Sequence, residues 1–283
     1  MSISYPQPLH PGDTIAIVCP AGYMPAEKAA ACIRTLKKWG DEERLADLQG
    51  KLDDPSVKAI LFGRGGYGTT RILDQIDWRR FLKNPKWIIG FSDITILHGH
   101  MHEQLKIASI HGPMSGAFNE DDGINRFTLS LKDSLEGKPV HYNARHHSFN
   151  YTGKATAQVV GGNLCLMAHA IGTNAAYHTK GKILFIEDIG EQLYNIDRMM
   201  LQLKRAGTLD KLKGLIVGGF SDCKDTERPF GKNAYEIIAE HVKEYKYPKA
   251  FGFPISHEKE NVAIIIGKKY SLEVRTDGTV LSD

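Results

Sequence analysis

Residues 57–100 read VKAILFGRGGYGTTRILDQIDWRRFLKNPKWIIGFSDITILHGH, and their alternation decides the fold. Val57–Phe62 is a short, nearly continuous apolar run that ends in the glycine loop Gly63–Gly68, GRGGYG. RILDQIDWRRFLKN (71–84) is spaced as a helix, and Trp87–Ile89 is a second apolar run, interrupted by Gly90. Ile94, Leu97 and Met101 then recur at helical intervals. Strand, helix, strand, helix, with strands this apolar, predicts a parallel sheet covered on both faces. Such sheets bind ligands beyond the carboxyl ends of their strands, where both GRGGYG and GFSD fall.

The pattern extends outward in both directions. DTIAIVCPAG (13–22) reads as a strand, PAEKAAACIRTLKKWG (25–40) as a helix stopped by Gly40, and DEERLADLQGKLDD (41–54) as another helix. The junction between Gly40 and Asp41 therefore passes from helix to helix, where alternation calls for a strand. Glu136–Gly153 is polar and turn-rich, and strands dominate beyond it, with two clear helices. The expected organisation is a doubly wound, mainly parallel α/β domain over 1–135, a linker over 136–153 and a strand-rich α+β domain over 154–283.

Composition narrows the function classes. The 283 residues are 42% hydrophobic and 24% charged, as in a globular chain with a full core. With 36 basic and 33 acidic residues the net charge is +3, too balanced to point to a nucleic-acid partner. Cys19, Cys32, Cys165 and Cys223 are scattered with no CxxC spacing, which suits a reducing compartment. The N-terminal stretch lacks the basic start and apolar core of a secretion signal. No apolar run approaches the roughly 20 residues of a membrane span. A soluble, cytoplasmic protein is expected.

Ser92 and Asp93 sit at the corner between strand and helix, where either residue type caps a helix. The alternative is a nucleophile on a tight turn, with Gly90 allowing close backbone approach and the helix start stabilising negative charge. The motif departs from GxSxG, because Ile94 holds the last glycine position. GRGGYG has neither GK[ST] nor GxGxxG spacing, so it is a plain turn or an oxyanion hole, not a phosphate cradle. Two N–H donors on an oxyanion are worth about 3 kcal/mol each.

A serine nucleophile needs a base, and the base an orienter. Glu187 and Asp188 end the apolar run of KILFIEDIGE, and His257 lies in the loop FGFPISHEKEN. A capping or ion-paired acid and a solvated loop histidine are the plainer readings. The chain order Ser92, Glu187, His257 is nevertheless that of one hydrolase arrangement. His98 and His102 share a helix face, but without HExxH or a third ligand they read as a helix surface, and no metal is expected. His146 and His147 read as solvated.

Taken together, FGRGGYGTTRILDQIDW, PKWIIGFSDITILH, VVGGNLCLMAHAIGT, KILFIEDIGEQLYNIDRMMLQL and FGFPISHEKENVAIIIG resemble, in order, the LD-carboxypeptidase family of serine peptidases. That family includes the microcin C immunity peptidases. The resemblance implies an α/β domain followed by a strand-rich domain, with a Ser-Glu-His triad assembled from both: Ser92, Glu187 and His257. It implies oxyanion donors at the N–H of Asp93 and of Gly66 or Gly65. It also implies release of terminal D-alanine from a cytoplasmic murein tetrapeptide in cell-wall recycling, no cofactor, and a homodimer. Arg64 and Arg71 are candidates for the substrate carboxylate, and Tyr67 and Tyr194 for the pocket. An immunity-type peptidase acting on a peptidyl-nucleotide would need an aromatic stacker, for which Trp78 and Trp87 have no assigned role. A non-catalytic ligand-binding protein would keep the glycines without needing the triad. The sequence departs from the family pattern at Ser256, where glycine is usual, and between Gly40 and Asp41, where the family carries a longer, strand-bearing segment.

Overall fold

The computed structural model describes residues 3–10, 13–18, 41–119 and 123–283. The expected helix over 25–40, the junction at Gly40, Cys19 and Cys32 lie outside the described residues. Strands β1 (Thr14–Val18), β2 (Val57–Phe62), β3 (Trp87–Gly90) and β4 (Ser109–His111) pair in parallel in that order. Ile60, Phe62 and Ile88 face a layer holding Leu48, Leu52, Ile72 and Phe81, while Ala59, Leu61 and Ile89 face Leu131 and Leu135 on the other side. Burial on both faces is why these strands are apolar at consecutive positions rather than alternate ones.

Helix α1 spans Asp41–Asp53, and α2 is only Thr69–Leu73, shorter than the spacing of residues 71–84 predicts. The helix ends because the backbone of Asp77 is engaged elsewhere. Its N–H donates to Gln49 Oε1 and its carbonyl accepts from Gln49 Nε2, both at 2.9 Å. A second turn of helix resumes at Phe81–Lys83. Helix α3 is Thr95–His100 and α4 is Arg126–Leu135, the latter capped by Asn125, whose side chain accepts from Phe127 N and Thr128 N.

The stretch read as a linker contains a strand. β5 (His141–Arg145) is the edge of a seven-stranded sheet ordered β5-β12-β11-β6-β7-β8-β9. Its side chains alternate between buried and exposed too weakly for periodicity to show, since only Tyr142 is buried. β6 (Gly153–Asn163), β11 (Lys269–Val274) and β12 (Gly278–Ser282) run antiparallel beside it. β7 (Ile183–Ile189), β8 (Gly214–Ser221) and β9 (Lys249–Phe251) continue from β6 in parallel, joined by α5 (Leu164–Ala170), α6 (Leu193–Arg205) and α7 (Ala234–Val242).

One crossing matters most for the site. After β9, at the edge of the second sheet, the chain returns to the first and adds β10 (Ile264–Ile266) antiparallel to β4. The segment carrying His257 is thus strung between the two sheets. Among the described residues no helix is long and apolar enough to cross a membrane.

Candidate active site

Ser92 adopts a left-handed backbone conformation, φ 62°, at the turn beyond β3. A non-glycine residue held there costs roughly 1–3 kcal/mol, a strain that recurs where a side chain must be presented at a sharp corner. Neither Ser92 nor Asp93 caps the helix that follows, so the capping alternative fails. The Asp93 carboxylate instead accepts from Thr69 N at 2.9 Å, the first residue of α2. Asp93 is buried, and burial raises its pKa against that hydrogen bond. Its carboxylate therefore ties the end of the glycine loop to the corner that carries Ser92.

The glycine loop is pressed against Ser92. A Cβ at Gly65 would stand 2.7 Å from Ser92 Cβ and 2.8 Å from its Oγ. Gly66 adopts φ 140°, which also favours glycine. Gly65→Ala is accordingly expected to displace Ser92 and lower turnover at least about 100-fold. Urea unfolding should change little, because the loop is partly exposed; a fully active Gly65→Ala protein would break the link between this loop and the chemistry.

Glu187 lies at the end of β7 with no solvent exposure. Its Oε2 is 2.5 Å from Nδ1 of His257. The other carboxylate oxygen and His257 Nε2 are buried without hydrogen-bond partners. Nε2 is thus the imidazole nitrogen left to accept a proton. The His257 loop reaches Glu187 because β8 offers a glycine there: a Cβ at Gly218 would sit 2.1 Å from Ile255 O and 3.2 Å from Glu187 Cβ. Ser256 stabilises this loop. Its hydroxyl donates to Glu260 O and accepts from Glu258 N, each at 3.0 Å.

Phe91, adjoining Ser92, packs edge-on against the His257 ring at 4.8 Å between centroids. A hydrogen-bonded chain also joins α3, which follows Ser92, to β7, which carries Glu187. Asn163 N donates to Thr95 Oγ1 at 3.0 Å, and Asn163 Nδ2 donates to Asp188 Oδ1 at 2.7 Å. Asp188 Oδ2 in turn accepts from Cys165 N, at the start of α5. Burial and the adjacent Glu187 charge raise the Asp188 pKa. So Asp188 assembles the site, and Glu187 is the acid that meets the histidine.

Burial pulls the His257 pKa down, but the Glu187 charge, its hydrogen bond and the Asp188 charge outweigh it, and the net shift is upward. A base works only when neutral, so the acidic limb of kcat/KM is expected to lie above the ordinary histidine value near 6.5. The same sign holds for stability: the raised pKa contributes stability below the ordinary value, and that contribution is lost as pH rises through the folded pKa. A pH profile of kcat/KM with its limb below 6 would contradict this pairing.

The expected surface histidines are not on the surface. His98 is fully buried, with Nδ1 2.8 Å from Ser109 Oγ and Nε2 2.9 Å from Gly90 O, and burial pushes its pKa down to about 4. His102 is buried against Glu103, whose carboxylate also meets His178 across to the second domain. His147 packs among Phe149, Tyr235 and Phe251, leaving His146 as the exposed member of that pair. Among the described residues no group of three or more His, Cys, Asp or Glu is arranged to hold a metal ion.

A cavity of 410 Å³ opens beside His257. Arg64, Phe91, Met114, Phe127, Lys259 and Asn261 are among the residues that line it. Of the four substrate candidates only Arg64 lines it; Arg71 lies on α2, and Tyr67 and Tyr194 are exposed elsewhere. Trp87 is buried in β3, and Trp78 stacks on His100, so neither faces the cavity. His111 went unnoticed in the sequence. It ends β4 at the carboxyl edge shared with Ser92, buried between the rings of Phe91 and Phe185. The strand-end rule that singled out GFSD applies equally to IASIHGP and would have found it.

Models of known families match both halves: an LD-carboxypeptidase N-terminal domain over residues 15–112 and an LD-carboxypeptidase C-terminal domain over 156–272. A probable murein peptide carboxypeptidase of Bacillus subtilis is 32% identical over 303 aligned positions, covering 99% of this chain and 95% of that protein. The chain belongs to the LD-carboxypeptidase family. The crystal structure of muramoyltetrapeptide carboxypeptidase from Oxalobacter formigenes superposes with a TM-score of 0.84 at 29% identity, covering 95% of this chain and 97% of that one. The microcin C7 self-immunity protein of Escherichia coli is 25% identical over 264 positions, covering 82% of this chain and 76% of that protein. Within this LD-carboxypeptidase chain, the domain-model matches fall on either side of the segment that holds β5.

Proposed function

We propose that the chain is a serine L,D-carboxypeptidase that releases terminal D-alanine from murein tetrapeptide. The observation that carries the reading is the Glu187–His257 pair: a buried carboxylate on one imidazole nitrogen, the other nitrogen without a partner, on a ring that lines the cavity and packs on Phe91, the neighbour of the strained Ser92. His257 takes the Ser92 proton as the hydroxyl attacks the amide carbonyl, and Glu187 stabilises the imidazolium. The backbone N–H of Asp93 and of Gly66 or Gly65 holds the oxyanion. His257 then protonates the leaving amine of D-alanine, and the acyl-enzyme is opened by water that His257 deprotonates. Arg64, at the cavity wall, is the cation suited to the substrate's terminal carboxylate. A cytoplasmic role in cell-wall recycling and a homodimeric state belong to the same proposal.

Mass spectrometry of the purified protein with an L,D-tetrapeptide and, separately, a peptidyl-nucleotide tests it. Release of D-alanine from the tetrapeptide is the expected result. Cleavage of the peptidyl-nucleotide alone would make this an immunity-type peptidase. Tight binding of the tetrapeptide with no cleavage would make it a binding protein.

A further inference from the structure

Asn261 lines the cavity beside His257 and is only 4% exposed. Neither its Nδ2 nor its Oδ1 has a hydrogen-bond partner. A buried donor or acceptor left unmade costs about 1–3 kcal/mol, so a carboxamide in this state is rare in a folded protein. The cavity's other asparagine shows the contrast. Asn125 uses its Oδ1 to cap α4, accepting from Phe127 N and Thr128 N.

The backbone of Asn261 is hydrogen-bonded within the loop that carries His257. Its N–H donates to Lys259 O at 3.1 Å, and Val262 N donates to Pro254 O at 2.8 Å, closing the loop that carries His257. The side chain makes no hydrogen bond that holds this loop together. It sits four residues from the base, just before the chain enters β10.

A carboxamide presents an N–H donor and a carbonyl acceptor in one plane, neutral at every working pH, which is the complement of a peptide group. We propose that Asn261 is a substrate-binding residue that pairs with a backbone amide of the peptide and so holds the scissile segment against His257. The inference rests on the carboxypeptidase reading and adds a recognition role to it. Substrate supplies the partners that the free protein lacks. A site built this way discriminates strongly against ligands that leave its polar atoms unpaired.

The test uses the inert Ser92→Ala protein and calorimetric titration with the L,D-tetrapeptide, in the presence and absence of Asn261→Ala or Asn261→Asp. Each Asn261 substitution is expected to raise Kd about tenfold or more. Asn261→Ala should leave Tm unchanged or raise it, because the free protein loses no hydrogen bond. A residue whose task was to hold the loop would show the opposite, a lower Tm. A Kd within about twofold of the parent, or a fall in Tm tracking the loss of affinity in both variants, overturns the assignment. D-alanine release by the wild type separates the two readings. If release occurs and Kd is unmoved, only the Asn261 role fails. If the wild type releases nothing and the Ser92→Ala protein binds no tetrapeptide, the carboxypeptidase reading fails and the Asn261 role fails with it.

Discussion

Ser92→Ala is expected to lower D-alanine release from the tetrapeptide by about 10⁴-fold or more, since removing one member of a nucleophile–base unit costs nearly as much as removing all. The loss should be chemical and not structural. Alanine tolerates φ 62° about as well as serine, and the turn keeps its shape through Asp93 and Thr69, which the substitution leaves untouched. Urea unfolding of the variant should therefore fall within about 1 kcal/mol of the wild type. Retention of wild-type turnover in the Ser92→Ala protein would remove the serine mechanism altogether.

Glu187→Gln comes next in size, with an expected fall in kcat of about 10³–10⁴-fold. The amide conserves volume in a fully buried position, so the fold should survive. Its NH₂ group, however, donates to His257 Nδ1, which forces the proton onto Nε2 and leaves no base for the serine. The acidic limb of any residual activity should also move down, because the charge that raises the His257 pKa is gone. Asp188 cannot substitute: Oδ1 already accepts from Asn163 Nδ2 and Ile189 N, and Oδ2 from Cys165 N. A kcat within about tenfold of wild type would exclude Glu187 as the orienter.

The two-face parallel sheet was legible because burial on both sides leaves apolar residues at consecutive positions, as in VKAILF and WIIG. β5 was not legible, because a sheet-edge strand with one buried side chain leaves almost no pattern to read. The end of α2 was equally hidden, since Gln49 arrives from a different helix to claim the backbone of Asp77. His98 and His102 looked solvent-facing for a related reason. Helical spacing says which residues share a face, and only the packed neighbour says whether that face meets water.

By itself the amino-acid sequence determined the residue types of the site, their order along the chain, and the strand ends that present Ser92 and the glycine loop. Those features are local, set by periodicity and by turn chemistry within a few residues. The family resemblance already pairs Glu187 with His257; the tertiary structure alone decided the distance at which they meet and that Asp188 turns inward to Asn163 and Cys165. Adjacent residues on a strand point to opposite faces, and nothing local says which face the partner will occupy. It also decided that Asp93 serves α2 rather than its own helix, and that Asn261 stands unpaired in the cavity wall. Both follow from the chain's return from β9 to β10 and from the packing of one strand end on another, contacts between segments far apart in sequence.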